Sequence, residues 1–189
     1  MKKSKIDLIT DKLVKAFLKN KLIAPLPKKY TKKLFEAEKV RKLCESKIND
    51  PIIGFKAAGT GIPVMKKLKE KKPFYASVFK RNFIKSGKKV KINQATLGIE
   101  LEVCYLIKKK FFEFKKNINK KNLSHFISHM APCIEVVGYR QRKKGIKTLG
   151  DLASDFGANI KFIIGSKKKF RNIKFNNLIT NISNKKIKQ

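Results

Sequence analysis

Residues 97–107 constrain the fold more than any other part of this chain, because apolar and acidic side chains alternate at their centre. The apolar set comprises Ile99, Leu101, Val103 and Tyr105. Glu100 and Glu102 fall on the intervening positions. Successive side chains of a strand point to opposite faces, so the pattern predicts a β-strand with both glutamates on one face.

The two glutamates lie in an unusual setting, because the chain contains 48 Lys and Arg against 13 Asp and Glu. Residues 92–107 contain no Lys or Arg. Residues 122–139 also contain none, and Glu135 is their only acidic residue. Because Glu135 also lies in an apolar segment, we expect it on a second strand.

Carboxylates placed together in apolar surroundings repel one another and lose solvation. A hard divalent cation removes both penalties, and all-oxygen ligands favour Mg²⁺ or Mn²⁺. One interpretation is therefore a metal site formed by Glu100, Glu102 and Glu135. The alternative is that the first strand is half exposed and its glutamates face water.

The formal net charge of +35 raises the question of a nucleic-acid partner. Nucleic-acid sites favour Arg for its planar, bidentate donors, and this chain has Arg at only five positions. Its lysines are spread along most of the chain instead of forming one basic segment. We therefore interpret them as solvated surface and expect no specific nucleic-acid binding.

Neither a membrane partner nor export is indicated by the sequence. No segment reaches the roughly 20 apolar residues that a membrane-spanning helix needs. Asp7 and Asp11 interrupt any apolar segment behind the N-terminal lysines, so we expect no export signal and a cytoplasmic protein. The widely spaced Cys44, Cys104 and Cys133 are expected to be free thiols in a reducing compartment.

The hydrophobic spacing predicts a small helical region over residues 1–50 and a β domain over residues 51–189. Residues 4–20 form the first predicted helix, with Ser4 capping its start and Pro25 and Pro27 ending it. Thr31 is expected to cap the second helix.

Further elements follow from local patterns. Predicted strands are residues 52–56, 74–79, 90–92, 97–107, 134–137 and 160–164, with another around 178–182, and predicted helices are residues 63–68, 123–130 and 149–154. The last residues, 184–189, are expected to be frayed. A helix over 123–130 would place His125 and His129 on one face at a spacing that suits zinc. A third ligand and a catalytic Glu are missing, so we favour a surface helix.

Five short motifs, in order between residues 6 and 182, resemble the 2-keto-4-pentenoate hydratases of the fumarylacetoacetate hydrolase superfamily. They are Ala24-Pro-Leu-Pro27, Gly54-Phe-Lys56 followed by Gly59-Thr60, Leu97-Gly-Ile-Glu100-Leu-Glu102-Val103, Pro132-Cys-Ile-Glu135, and Ser154-Asp155 followed by Phe162-Ile-Ile-Gly165. The resemblance implies an α+β fold, in which a mixed β roll follows a small helical N-terminal region.

The resemblance also implies a function, that of a metal-dependent hydratase, a carbon–oxygen lyase. Such an enzyme adds water to a 2-hydroxy-2,4-dienoate in 2-oxo acid or aromatic catabolism. The implied Mg²⁺ or Mn²⁺ ligands are Glu100, Glu102 and Glu135, the implied catalytic residue is Lys56, and the implied substrate-binding residues are Gly59, Thr60 and Asp155. Relatives in this branch decarboxylate a 2-oxo-enedioate at a similar site, and that alternative stays open.

The chain departs from the family pattern at three places. Lys80 and Arg81 stand where the family has an acidic residue, and Ala158 and Asn159 replace a pair of hydroxyl residues. The family continues with further strands where this sequence becomes Lys-rich after Ile182. We therefore expect a roll incomplete at its C-terminus, which a homo-oligomer or a partner subunit would complete. A catalytically impaired remnant, or a basic interaction protein, is the remaining alternative.

Overall fold

The computed structural model describes residues 3–69, 72–114, 117–119, 121–141 and 145–171. Its helices are α1 (Lys5–Lys19), α2 (Leu34–Ser46), α3 (Ile62–Lys67), α4 (Lys110–Glu113) and α5 (Leu149–Ser154). Its strands are β1 (Ile52–Ala58), β2 (Phe74–Phe79), β3 (Phe83–Lys85), β4 (Thr96–Ile107), β5 (Ile127–Gly138), β6 (Asn159–Ile164) and β7 (Lys168–Lys169). None of the helices in these residues has the length and apolar character needed to cross a membrane.

The chain divides into two compact units. The first contains Met1–Cys104 and Ala131–Ser166, and the second contains Tyr105–Met130 and Lys167–Gln189. All residues predicted to form the functional site belong to the first unit. The boundary that the sequence predicts at residue 50 stays a prediction.

Two sheets organise the strands. β1 and β2 form an antiparallel pair in which Lys56 lies opposite Ala76. The other sheet has the order β3-β6-β5-β4, and β7 pairs with β5. It is a mixed sheet, because β3 runs parallel to β6 whereas β5 runs antiparallel to β6. The predicted mixed α+β architecture is therefore confirmed.

The amphipathic faces of α1 and α2 bury a shared apolar core. Its buried members are Leu13, Val14, Phe17, Leu26, Val40, Cys44, Ile48, Phe79 and Phe156. Ser4 caps α1 as predicted, because the Asp7 backbone N–H donates to its hydroxyl oxygen at 3.2 Å. α1 ends at Lys19, in agreement with the predicted range 4–20, but the residue that ends it is the left-handed Asn20 and not Pro25 or Pro27.

The start of α2 also differs from the prediction. Its N-cap residue is Lys33, which makes no side-chain cap, so the prediction that Thr31 caps this helix is wrong. A 3₁₀ turn at Lys28–Tyr30 precedes Thr31, which is buried and accepts a hydrogen bond on its carbonyl from the Thr148 hydroxyl at 2.8 Å. Tertiary packing has overridden the local capping preference at this position.

The predicted helix at residues 123–130 is wrong. Leu123–Phe126 forms a short 3₁₀ turn, and the chain then enters β5. His125 lies in the turn and His129 in the strand, so the helical spacing that suggested zinc does not exist. A short apolar run carries no unique period, and strand pairing decided its structure.

The other differences concern short strands. Residues 90–92 have no regular structure, whereas Phe83–Lys85 forms β3 beside β6. The predicted strand around 178–182 and the predicted fraying of 184–189 lie outside the described residues. Cys44 and Cys133 are buried thiols, as expected, and Cys104 is half-buried.

Candidate metal centre

Three carboxylates from two segments come together in the mixed sheet. One carboxylate oxygen from each of Glu100, Glu102 and Glu135 lies within 4.8 Å of the other two. The first two residues are on β4 and the third is on β5, the next strand of the sheet. Three carboxylates this close together can coordinate one hard divalent cation through their oxygen atoms.

The three carboxylates differ in their exposure to solvent. Glu100 and Glu102 are exposed, whereas Glu135 is only 1% exposed. Burial raises the pKa of Glu135 to about 7, the positive charge of Lys56 opposes that rise, and the charges of Glu100 and Glu102 add to it. A cation bound here would favour the ionised form that burial disfavours.

Lys56 lies beside the most buried of the three carboxylates, and its predicted catalytic role stays a prediction. Its ammonium group donates to Glu135 Oε1 at 2.6 Å and to the Gly157 carbonyl at 3.1 Å. β1 carries Lys56, and the Gly157 carbonyl comes from the turn that precedes β6. Two separate segments therefore fix the ammonium group beside the buried carboxylate.

The turn that contains Gly157 has an uncommon backbone. Phe156, Gly157 and Ala158 have φ values of 53°, 70° and 62°, in the left-handed region that non-glycine residues seldom occupy. Phe156 is buried, and its carbonyl accepts a hydrogen bond from the Asn159 side chain. Sequence reasoning did not select Gly157, although its position between elements could have indicated a turn.

Asp155 directly precedes this turn and is paired with Arg140. Arg140 donates to Asp155 Oδ1 through its guanidinium at 2.9 Å, and to Oδ2 through its backbone N–H. Both side chains are fully buried. In this structure Asp155 is a partner of Arg140, and its predicted contact with substrate stays a prediction.

Gly59 and Thr60 lie in the turn that follows β1. Gly59 has a φ of +68°, and a Cβ added there would lie 2.7 Å from Leu149 Cδ1, so only glycine fits without movement. Thr60 is exposed, which leaves its side chain open to solvent. Their predicted role in substrate binding also stays a prediction.

A groove of about 450 Å³ lies next to the carboxylates, and Glu100 belongs to both. The residues that line it are Leu68, Leu97, Gly98, Ile99, Glu100, Val137, Ile146, Leu152 and Ala158. Sequence reasoning missed this lining, because residues so far apart in the chain show no local pattern that would connect them.

Neither protein-family models nor curated protein sequences match this chain. Solved structures do match it. A 4-oxalocrotonate decarboxylase from Pseudomonas putida G7, complexed with calcium and acetate, has a TM-score of 0.70 and 16% identity, over 87% of this chain and 63% of that one. The same enzyme complexed with magnesium and adipate has a TM-score of 0.66 and 15% identity, over 87% and 64%.

The likeness shows the fold. The chain has the α+β fold of the fumarylacetoacetate hydrolase type, as predicted. It spans slightly less than two thirds of the decarboxylase's length, 63% in the first comparison.

Proposed function

We propose that this chain is a metal-dependent lyase of a 2-oxo acid, with Mg²⁺ or Mn²⁺ held by Glu100, Glu102 and Glu135. The observation that carries the proposal is the convergence of three carboxylates within 4.8 Å in a chain of net charge +35. The metal and carboxylate ligands of the two decarboxylase structures support it.

The donor set fits such a cation. Three carboxylates supply hard oxygen ligands, which suit Mg²⁺ and Mn²⁺ better than the nitrogen and sulfur ligands typical of zinc. The raised pKa of Glu135 is also consistent with a cation site. A bound cation would compensate the repulsion and the lost solvation of the charged form of Glu135.

When bound, the cation would supply Lewis-acid stabilisation of negative charge on the substrate's 2-oxo oxygen. Lys56 would then hold or transfer a proton near the substrate, since its ammonium group already lies at the buried carboxylate. Gly157 would orient that ammonium group through its carbonyl. Gly59 and Thr60 would contact the substrate, and Asp155 would hold the turn of Gly157 through Arg140.

The reaction that we propose first is hydration of a 2-hydroxy-2,4-dienoate. Decarboxylation of a 2-oxo-enedioate is the second candidate, and it is favoured by the activity named for the two structures that share the fold. An assay that follows dienoate absorbance and carbon dioxide release in parallel separates the two. Loss of absorbance without carbon dioxide supports hydration.

The alternative to an enzyme is a non-catalytic binding protein. The net charge of +35, together with Lys80 and Arg81, favours a basic interaction protein that keeps only the fold. Such a protein would bind polyanions with an affinity that falls steeply as salt increases, and this binding would not need Glu102.

We also propose that a second copy or a partner subunit covers β4. Its apolar residues Leu97, Ile99 and Leu101 are 46%, 54% and 45% exposed. Apolar side chains that are exposed together on one strand are typical of an interaction surface. Sedimentation of the full chain at several concentrations tests this part of the proposal. A monomer at all concentrations would reject the homo-oligomer.

The metal site is tested by thermal unfolding with and without Mn²⁺. Binding to the folded state alone raises the free energy of unfolding, by about 2.7 kcal/mol at a hundred times the dissociation constant. We expect this gain in the wild type and its loss in Glu102→Gln. Glu36→Gln is the matched control, because Glu36 lies on α2 in a surface pair with Lys39 at 3.4 Å.

The outcomes of this experiment are distinct. A gain that persists in Glu36→Gln and disappears in Glu102→Gln supports the metal centre. If Mn²⁺ does not stabilise the wild type, the metalloenzyme proposal is rejected and the basic interaction protein is favoured.

A further inference from the structure

We infer that the β4–β5 connection, residues 108–126, is a docking surface for an anionic lipid bilayer. It combines positive charge with exposed aromatic and aliphatic side chains. A bilayer of this kind offers the complementary pair, a layer of negative headgroups above hydrocarbon. The connection lies in the second compact unit, whereas the three glutamates lie in the first, so this surface does not depend on the proposed function.

Positive charge is concentrated in the β4–β5 connection. Its 19 residues include seven Lys, and Glu113 is the one acidic residue in this part of the sequence. That density exceeds the average of the chain, which has 48 Lys and Arg in 189 residues. Lys108, Lys109, Lys110 and Lys121 are all exposed. Clustered lysines of this kind are attracted to the negative potential of an anionic lipid surface.

Large apolar side chains are exposed among these lysines. Phe112 is 77% exposed, the highest value for a large apolar side chain in the part of the chain that the structure describes. Phe114, Ile118 and Leu123 are exposed as well. Apolar groups in water gain free energy when they enter hydrocarbon, and several exposed together are typical of an interaction surface.

Ring contacts hold Phe112 in place. Phe126 is buried, and the centres of the Phe111 and Phe114 rings lie 5.7 Å and 4.8 Å from the centre of its ring. Phe111 in turn contacts the Phe112 ring edge-to-face at 5.3 Å. The Lys108 backbone N–H donates to the Phe126 carbonyl at 2.8 Å, which closes the connection at its base. Because the exposed ring is already ordered, it loses little conformational entropy on binding.

The composition of the connection favours lipid over nucleic acid. Phe can stack on bases, but the aliphatic side chains of Ile118 and Leu123 have no π face and gain more in hydrocarbon. Residues 108–126 contain no Arg, Tyr or Trp, which are side chains that combine stacking with charge or hydrogen bonding. Lysines act as point charges, and these suit the diffuse field of headgroups.

This surface differs from the membrane partner that the sequence excludes. The length criterion applies to a helix that crosses the bilayer. A segment that lies on the bilayer needs only an exposed apolar group beside positive charge. The β4–β5 connection meets that second requirement.

A tryptophan reporter tests whether Phe112 enters the bilayer. The chain has no Trp, so Phe112→Trp supplies a single emitting residue. With vesicles of about three parts phosphatidylcholine to one part phosphatidylglycerol, its emission should shift to shorter wavelength and be quenched by lipids with brominated acyl chains.

The matched control for this reporter is Phe35→Trp. Phe35 lies on α2, is 64% exposed and also has a neighbouring lysine, because Lys39 Nζ lies 4.1 Å from the centre of its ring. Its emission should not change with the same vesicles. No change in Phe112→Trp, or equal changes in the two variants, would overturn the proposal.

Vesicle sedimentation of the full chain tests the contribution of charge. Lys109→Gln/Lys121→Gln should weaken binding about tenfold, since two charges near the headgroups are lost. Lys88→Gln/Lys89→Gln removes the same charge from an exposed segment after β3 and should weaken binding less than about threefold. Phe112→Ser should weaken it about tenfold. Equal losses in the two lysine pairs would attribute binding to the charge of the whole chain and overturn the proposal.

Two other polyanions separate lipid from other kinds of partner. Single-stranded RNA and polyglutamate carry negative charge without a hydrocarbon layer. A Phe112→Trp response to anionic vesicles that exceeds the response to both polyanions supports the lipid surface. An equal or larger response to RNA would identify a nucleic-acid site, and an equal or larger response to polyglutamate would identify a site for acidic protein. Either result would overturn the proposal.

Discussion

The ammonium group of Lys56 lies 2.6 Å from Glu135 Oε1, and the two side chains are only 11% and 2% exposed. Lys56 belongs to the two-stranded sheet and Glu135 to the mixed sheet, so this ion pair connects the two sheets. The pair supplies a positive charge to the most buried of the three carboxylates. Three carboxylates against one ammonium still leave the group negative, which suits a cation.

The stability of the metal-free protein should fall as pH rises from about 4.5 to about 7. The pKa of Glu135 is raised from 4.5 to about 7, so in this window the folded state keeps a proton that the unfolded state has released. Integrated over the window, this carboxyl lowers the free energy of unfolding by about 3 kcal/mol. Urea unfolding at several pH values measures it, and Glu135→Gln should remove that part of the slope. An unchanged slope in the variant contradicts the expectation.

Replacing Lys56 with Met should raise the pKa of Glu135 further, because the charge and the hydrogen bond of Lys56 both lower it. Carbon NMR of the glutamate carboxyl groups measures this shift directly. If Lys56 transfers the proton, turnover should also fall about 10²- to 10⁴-fold while Mn²⁺ still stabilises the fold. The control is Lys39→Met, which removes a lysine from a surface pair. Turnover at the wild-type level in Lys56→Met would exclude the catalytic role.

Gly157→Ala should destabilise the protein by about 1–3 kcal/mol and displace Lys56. Gly157 has a φ of +70°, and an added Cβ would lie 2.9 Å from Ala76 Cβ and 3.4 Å from Lys56 Cδ. Gly87→Ala provides the control, because Gly87 has a φ of +83° and nothing within 4 Å of an added Cβ. Denaturant unfolding should show the larger loss for Gly157→Ala, and only that variant should change the pKa of Glu135. Equal losses would mean that backbone strain alone accounts for both.

Arg140→Met should cost about 3–5 kcal/mol of folding free energy, because it removes the guanidinium that pairs with the buried Asp155 and leaves that carboxylate only the hydrogen bond from the backbone N–H of residue 140. The guanidinium group also lies 4.9 Å from the centre of the Phe17 ring, so the variant loses a contact with the helical core. Lys39→Met removes an exposed pair and should change stability by less than about 1 kcal/mol. In the double variant Arg140→Met/Asp155→Leu, part of the loss should be recovered. Unfolding midpoints that coincide with the wild type would show that the pair contributes nothing.

The sequence by itself determined the features that depend on a local repeat. The alternation of residues 97–107 predicted β4 and placed Glu100 and Glu102 on one face, because side chains two residues apart on a strand point to the same side. The helical spacing near the N-terminus predicted α1, and the Ser4 cap followed from a contact three residues away.

Only the tertiary structure decided the features that depend on distant contacts. The approach of Lys56 to Glu135 joins residues separated by 79 positions, and the contact with Gly157 spans 101 positions. The groove likewise gathers residues from separate segments, which no local pattern connects. Where local signals were ambiguous, as at residues 123–130 and Thr31, strand pairing and burial determined the outcome. The physical reason is that local preferences differ by about 1 kcal/mol or less per residue, whereas packing and burial of a side chain contribute more.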